Sequence, residues 1–477
     1  MGRRKNKTIE EDLEIKSFTK KGHGLARYVN MHGHASDVEI PRSIPGEVVR
    51  AAFHRKRRKR FQGDIIEVIQ ASPSRVSPRC KHFTDCGGCR WQHFSYEEEL
   101  RRKEEMIRKE FSPLLKESKA SQLPIVPSSP PWRYRNKMEF SFSESSSGER
   151  FLGLMQEGKR GRVVDIEECR LANEWFTNVL FAVRRWWKDS SLQAYRHEKD
   201  SGSLRTLTVR EGKRSGERML VLTVSGNPQY SLSHELLNRF VATVREVLEK
   251  GDSPPALSVF LRIHQIKKGS PSKFYEWKLY GPEYIRERLS LGERTLEFSI
   301  SPSSFFQPNT LQAEKIYSLA IEMAGISEND VVFDLYCATG TLGMLASLRA
   351  KKTIGIELSP ESSLDARENI KRNHISNMEA ITGDVGKTLS RLQTENSFEK
   401  ADVVFVDPPR AGLDEEAISH IIRLSPSKIV YISCNPSSQA KNVQEFVKSG
   451  YGLSAIRPVD QFPHTVHVEN IAVLIKS

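Results

Sequence analysis

Cys434 lies in "IVYISCNPSSQ", residues 429 to 439, where Ile429 to Ile432 read as a buried strand and Pro436 forbids further ladder pairing. A thiol just past the carboxyl end of a strand stands where open α/β sheets place their ligands. Ionised, it is a nucleophile for an electron-poor carbon; packed away, it is an inert small hydrophobe. Other apolar runs end on groups that could share its rim. "VVFDLY" ends on Tyr336, "TIGIE" on Glu357 and "DVVFVD" on Asp407, while Glu469 precedes a final apolar strand. A second set is made of cysteines alone. Cys80, Cys86 and Cys89 cluster, Cys169 stands apart, and Cys337 completes the six. In a long chain without a signal peptide, metal binding or catalysis is expected of them rather than disulfides.

The elements that must position these groups fall into three regions of the 477 residues. Residues 1–74 alternate short β-prone runs with turns and suggest a small oligonucleotide-binding type β-barrel. It carries six consecutive basic residues, Arg55 to Arg60, read as a nucleic-acid contact within a hairpin. Residues 75–289 hold the cysteine cluster, a charged helix in "SYEEELRRKEEMIRKEF", a connector over 116–132, and an α+β pattern with helices near 172–188 and 232–249. Residues 290–477 show the βαβ rhythm of a Rossmann-like, doubly wound sheet. Lys and Arg outnumber Asp and Glu 73 to 60, a net charge of +13 that favours a polyanion as partner. No apolar run has membrane-spanning length and the start lacks a signal-peptide core, so a cytoplasmic protein with no membrane partner is expected.

"VVFDLYCATGTLGMLA" reads as strand, tight turn and helix, with Glu357 ending the next strand. Small residues let the backbone approach a nucleoside, and the acid accepts from ribose hydroxyls. Asp334, just before the turn, is poorly placed to receive the phosphates of a dinucleotide but suits the cationic amino-acid end of S-adenosylmethionine. In "VDPPRAG" an amino-methyltransferase would carry an aromatic after the prolines; here Arg410 stands instead. A methyl donor, a thiol and a carboxylate then suggest methylation of a carbon that is not itself nucleophilic. Uracil C5 is such a carbon: a thiolate added to C6 makes C5 attack the methyl group, and a base removes the C5 proton to expel the thiol.

"SFFQPN", "DLYCATG", "VDPPRAG", "YISCNP" and "HTVHVEN", in that order, resemble the RNA uracil-C5 methyltransferases that form 5-methyluridine in transfer and 23S ribosomal RNA. The resemblance covers essentially the whole chain, with the basic barrel similar to the family's TRAM domain. It implies Cys434 as nucleophile and Glu469 as base. Gln307, Tyr336, Glu357 and Asp407 would line the S-adenosylmethionine site, with Thr341 and Asp384 as further contributors. Ala338 departs from the family's usual glycine and puts a methyl group on the cofactor turn; Pro308 and Ser437-Ser438 are further departures.

Four cysteines are a generic zinc set, yet one tight trio plus a remote residue suits an iron–sulfur cluster. The family's matching cysteines hold a [4Fe–4S] cluster, which the resemblance assigns here to Cys80, Cys86, Cys89 and Cys169, with Gly87 and Gly88 letting amides approach the sulfurs. Arg133, Arg135 and Lys137 alternate and would share one strand face, either solvated or a phosphate track. The expected partner is RNA, 23S rRNA ahead of tRNA because the tRNA branch commonly lacks barrel and cluster, acted on by a monomer. A radical enzyme that cleaves S-adenosylmethionine, and a non-catalytic RNA-binding protein that kept the fold, are the competing classes.

Overall fold

The computed structural model describes residues 8–55, 60–159, 161–266, 269, 272–395 and 400–477. Of the basic run, Lys56, Arg57, Arg58 and Lys59 lie outside the described residues. The first five strands are β1 (Ile9–Phe18), β2 (Gly24–Val29), β3 (Ala35–Ile40), β4 (Val48–Arg55) and β5 (Phe61–Gln70). They close into a barrel in the order β1-β2-β3-β5-β4. Alternation along each strand sends Leu13, Ile15, Val38, Val49 and Phe53 inward to form its core.

Helix α1 (Tyr96–Ser118) runs past Pro113 and takes in the first residues of the expected connector. The short β6 (Ser121–Gln122) follows. The central sheet is built from β7 (Lys137–Glu144), β8 (Arg150–Met155), β9 (Val163–Asp165), β10 (Leu204–Glu211), β11 (Arg218–Ser225), β12 (Leu257–Gln265) and β13 (Lys273–Tyr280), in the order β13-β12-β11-β10-β7-β8-β9. Helices α2 (Glu174–Lys188) and α3 (His234–Leu248) cover one face, burying Phe140, Leu207, Leu222 and Val259 against Phe176, Val183, Phe240 and Val244. The other face carries Lys137, Thr208, Arg210, Arg262 and His264, the alternate residues of the same strands.

A hairpin of β14 (Ile285–Leu291) and β15 (Arg294–Ile300) leads into the last layer, so the expected boundary at 289/290 falls inside a strand. There α4 (Thr310–Ala324), β16 (Val331–Leu335), α5 (Thr341–Ser347), β17 (Lys352–Glu357), α6 (Pro360–Arg372), β18 (Met378–Thr382), α7 (Val385–Glu395), β19 (Val403–Val406), α8 (Glu415–Leu424), β20 (Lys428–Ser433), α9 (Pro436–Lys448), β21 (Tyr451–Val459) and β22 (Glu469–Lys476) alternate. The sheet order is β18-β17-β16-β19-β20-β22-β21-β6, parallel from β18 to β20, with β22 antiparallel to both β20 and β21. Both faces are covered, which is why its strands read as continuous apolar runs. Val331, Phe333 and Leu335 face α7 and α8, whereas Val332 faces α4 and α5. Helix α1 belongs to this layer too: Ile107, Phe111 and Leu114 pack on the α8–α9 side, and β6 extends the sheet at β21. Residues 96–122, expected in the central region, thus complete the C-terminal one, because the apolar stripe Ile107, Phe111 and Leu114 is buried in that region's core.

Candidate active site and cysteine cavity

The carboxyl ends of β17, β16, β19 and β20 are neighbours in the sheet and present Glu357, Tyr336, Asp407 and Cys434 in that order. Between β16 and β19 the chain order reverses, the switch point at which such sheets open a crevice. Antiparallel β22 brings Glu469 to the same rim from its amino end. Ser433 pairs with Asn470 across the β20–β22 ladder, so Cys434 and Glu469 face one another one residue further on. Cys434 is half-buried and stands two residues before Pro436, the first residue of α9. The helix dipole there favours a thiolate.

The electrostatics of this corner are unusual. Burial raises the Glu469 carboxyl to about 8, with Asp407 adding to the rise and Arg410 opposing it. Burial raises Asp407 to about 7. The Cys434 thiol is also pushed up, by burial and then by Glu469, while Arg410 pulls it down through its charge and a hydrogen bond. Arg410 is thus the cation that serves both groups. Its carbonyl is held by Asn435 Nδ2 at 2.8 Å and Ser438 Oγ at 3.3 Å, which locks the "DPPR" loop to the cysteine loop. Acids and thiols of displaced pKa gathered in a crevice mark a functional site.

On the cofactor side, Tyr336, Ala338 and Gly340 all take positive φ, at 67°, 48° and 79°. Glu357 braces this turn: Oε2 accepts from the Ala338 amide at 2.9 Å and Oε1 from the Ser359 amide at 2.7 Å. Each oxygen keeps a second lone pair for a ligand hydroxyl. Asp334 is otherwise engaged than expected. It is 1% exposed, and its Oδ2 accepts from the Gly343 amide at 2.7 Å, so it staples β16 to α5 instead of facing a cationic ligand. Cys337 is buried beneath the turn, its Sγ so close to Gly355 that a Cβ there would sit 2.9 Å away. Thr341 is buried at the start of α5, its hydroxyl 3.0 Å from that of Thr339. Asp384 Oδ1 accepts from the Lys387 amide at 3.1 Å, and its charge reaches the Tyr336 phenol.

Gln307 is buried, with Oε1 accepting from Gln461 Nε2 at 3.2 Å and its carbonyl from Asn136 Nδ2 at 2.9 Å. Tyr317 on α4 hydrogen-bonds Gln307 and lies within the fields of Asp407, Asp334 and Glu469, which ties Gln307 to the rim. The loop before Glu469 is clamped from upstream. Lys103 Nζ, fully buried, donates to Glu99 at 2.6 Å, Asp460 at 2.7 Å and the Phe462 carbonyl at 3.1 Å. The His464 carbonyl accepts from the amides of Arg90 and Trp91, at 2.8 and 3.1 Å, immediately after Cys89.

Cys80, Cys86, Cys89 and Cys169 line one cavity of about 270 Å³ between the segment 80–92, β7 and β8. Among the described residues no three His, Cys, Asp or Glu converge on a point that could hold a metal ion. The thiols instead line a space larger than an ion; burial raises their pKa, Cys86 to about 11, and Cys169 adds to the rise at Cys80, Cys86 and Cys89. Four thiols so arranged, Cys86 buried and the others partly so, can lose their protons together only around a cationic centre. The Gly88 amide donates to Cys86 Sγ at 3.3 Å. The donor set and the volume therefore fit a polynuclear cluster better than a single ion.

Arg133, Arg135 and Lys137 do not share a strand face. Arg133 has φ of 54° and pairs with Glu174, Arg135 lies over the Phe462 ring, and Lys137 is the first residue of β7, held down to about 8 by burial and by Arg210 and Arg262.

The family model for tRNA (uracil-5-)-methyltransferases matches residues 261–477. An uncharacterised RNA methyltransferase of Protochlamydia amoebophila is 51% identical over 92% of this chain and 99% of its own length. One from Caldanaerobacter subterraneus is 34% identical over 98% of both. The chain belongs to the RNA uracil-C5 methyltransferase family. The Pyrococcus abyssi tRNA (uracil-54, C5)-methyltransferase, solved with S-adenosyl-L-homocysteine, superposes with a TM-score of 0.71 at 24% identity, covering 97% of this chain and 99% of that one. As an S-adenosylmethionine-dependent RNA uracil-C5 methyltransferase, the protein acts on RNA, and its described residues include no helix long and apolar enough to cross a membrane. Three residues of this uracil-C5 methyltransferase escape a reading of its sequence as site residues: Arg410, seen only as a missing aromatic, Tyr317, inside an ordinary amphipathic helix, and Gln461, in an unremarked loop.

Proposed function

We propose that the enzyme makes 5-methyluridine in RNA through a covalent adduct on Cys434. Arg410 and the amino end of α9 favour the Cys434 thiolate, which adds to C6 of a uracil whose base has left its stack. The electron pair moves to C5, the methyl carbon supplied by S-adenosylmethionine bonds there, and the sulfonium leaves as a thioether. Glu469 takes the C5 proton; the pair reforms the C5–C6 bond and the C6–S bond breaks. Glu357 and the turn from Tyr336 to Thr341 hold the nucleoside end of the donor, with Asp384 at the turn's edge; Gln307 and Asp407 orient the base and the methyl group. The observation that carries this reading is the position of Cys434 opposite Glu469 under the charge of Arg410. RNA containing 5-fluorouridine tests it, because fluorine at C5 cannot leave as a proton. Wild-type enzyme with S-adenosylmethionine should form a protein–RNA adduct stable to denaturing electrophoresis, and Cys434→Ala none; an adduct on Cys434→Ala would move the nucleophile elsewhere.

Residues 1–74 serve as a TRAM-type RNA-binding barrel, 75–289 as a central region, and 290–477, completed by α1, as the catalytic region. Cys80, Cys86, Cys89 and Cys169 hold a [4Fe–4S] cluster that fixes the loop 80–92 against the catalytic loop at His464. Ribosomal 23S RNA is the favoured substrate on the combination of basic barrel and cysteine quartet. A tRNA uridine is the second reading, favoured by the archaeal tRNA enzyme, whose likeness spans the barrel as well. Mass-spectrometric mapping of 5-methyluridine in both RNAs from a deletion strain decides between them.

A further inference from the structure

The second face of the central sheet, buried at Arg210 and Phe260, ends at its β12–β13 edge in an exposed cluster that the reaction does not use. His264 and Phe274 are cross-strand partners with ring centroids 4.4 Å apart at 33°. Phe274 is 56% exposed. The charges of Arg205, Arg262 and His197 all reach His264. The Arg205 guanidinium lies 4.0 Å from the centroid of Tyr195. Its Nη1 and His264 Nε2 are both buried without a hydrogen-bond partner. Two acids are near, and both are spent: Glu276 on Arg262 Nε at 2.6 Å, Asp200 on the Tyr195 hydroxyl at 2.8 Å. Unspent nitrogen donors beside an exposed ring match a nucleotide, with phosphate for the donors and a base for the ring.

The same face leads to the active site. Arg262 Nη2 donates to the Pro302 carbonyl and Arg210 Nη1 to the Ser304 carbonyl, both at 3.0 Å. The loop they hold continues through Phe305, 55% exposed, to Gln307. His264 is two residues beyond Arg262 on that face, a step of about 7 Å along the strand.

We propose that His264, Phe274, Tyr195 and Arg205 form a second RNA-contact site, which stacks an unpaired base flanking the target uridine on Phe274 and receives its phosphate at Arg205. The proposal rests on RNA as substrate and adds a place where the flank is held. Its test uses the full-length protein and two labelled single-stranded RNAs, one of about 15 nucleotides centred on a uridine and one cut back to that uridine's immediate neighbours. Phe274→Ala should weaken binding of the long RNA about tenfold, and Phe274→Trp should restore it, since stacking tolerates any large aromatic. The short RNA should bind all three proteins alike, and 4-thiouridine in the flank should crosslink to the peptide containing Phe274. Unchanged affinity of Phe274→Ala for the long RNA overturns the proposal, as does an equal loss on both RNAs. Loss of self-association in Phe274→Ala with RNA binding intact would overturn it in favour of a second copy of the chain. Wild-type protein that binds the long RNA but transfers no methyl group would refute the catalytic reading alone, and the affinities would still decide this site.

Discussion

Cys434 and Glu469 face each other across the end of an antiparallel ladder, one residue beyond the Ser433–Asn470 pair. Opposite positions of such a ladder bring Cβ atoms to within about 4.5–5.5 Å. The proposed nucleophile and the proposed base are thereby set side by side through backbone pairing.

Glu469→Gln keeps the shape of the base and removes its capacity to accept the C5 proton. Addition and methyl transfer should proceed while release stalls, so turnover should fall by about 10²–10⁴-fold. The variant should accumulate a methylated protein–RNA adduct on ordinary RNA, seen by denaturing electrophoresis, and the double variant with Cys434→Ala should not. A Glu469→Gln variant that turns over normally would assign proton removal to another group.

Activity should rise with pH. Both groups work deprotonated, and both are raised, Glu469 to about 8, so activity is lost as pH falls through that value. Arg410 opposes both rises. Removing its charge in Arg410→Met should push the two pKa values higher and move the acid limb of the pH–rate profile up by about one unit. A limb that stays in place would show that Arg410 acts on RNA and not on the thiol.

The cofactor turn stores strain at Ala338, whose φ of 48° suits glycine. Ala338→Gly should raise the urea-unfolding midpoint, a gain of about 0.5–1 kcal/mol. It should leave S-adenosylhomocysteine affinity equal or tighter. Gly340→Ala should do the reverse, because φ there is 79° and the added Cβ would lie 3.2 Å from Ala366. Equal midpoints in the two variants would remove strain from the account of this turn.

Protein purified without oxygen should be brown and carry about four irons per chain. Cys169→Ala should lose most of that iron and its absorbance. Stoichiometric zinc without iron in anaerobic material would replace the cluster with a single-ion site.

Much of this site was legible because catalytic groups sit at strand ends, and strand ends are written in sequence as apolar runs stopped by turn residues. Tyr336, Glu357, Asp407 and Cys434 do share a rim for that reason. What escaped depends on packing between distant segments. Asp334 looked free for a ligand, yet a helix amide nine residues on claims it. Arg133, Arg135 and Lys137 alternate in sequence, but a left-handed residue at Arg133 breaks the alternation. Helix α1 reads in sequence as a charged helix. Its Lys103 and Glu99 are nonetheless fully buried as an ion pair, with Asp460, 357 residues on, as a second acceptor for Lys103.

That last contact sets an order of events in the cell. Lys103 on α1 is made 357 residues before Asp460 and 359 before Phe462, whose carbonyl it also meets. Until they arrive, Lys103 has no acceptors from the C-terminal strands, and α1 has only part of the surface it packs on. Without Asp460 the buried Lys103 would keep Glu99 and lose its second carboxylate acceptor, a defect worth several kcal/mol. The lock closes only when residues 460–462 dock on α1, so the loop that leads to Glu469 is held in place by a helix far upstream in the chain.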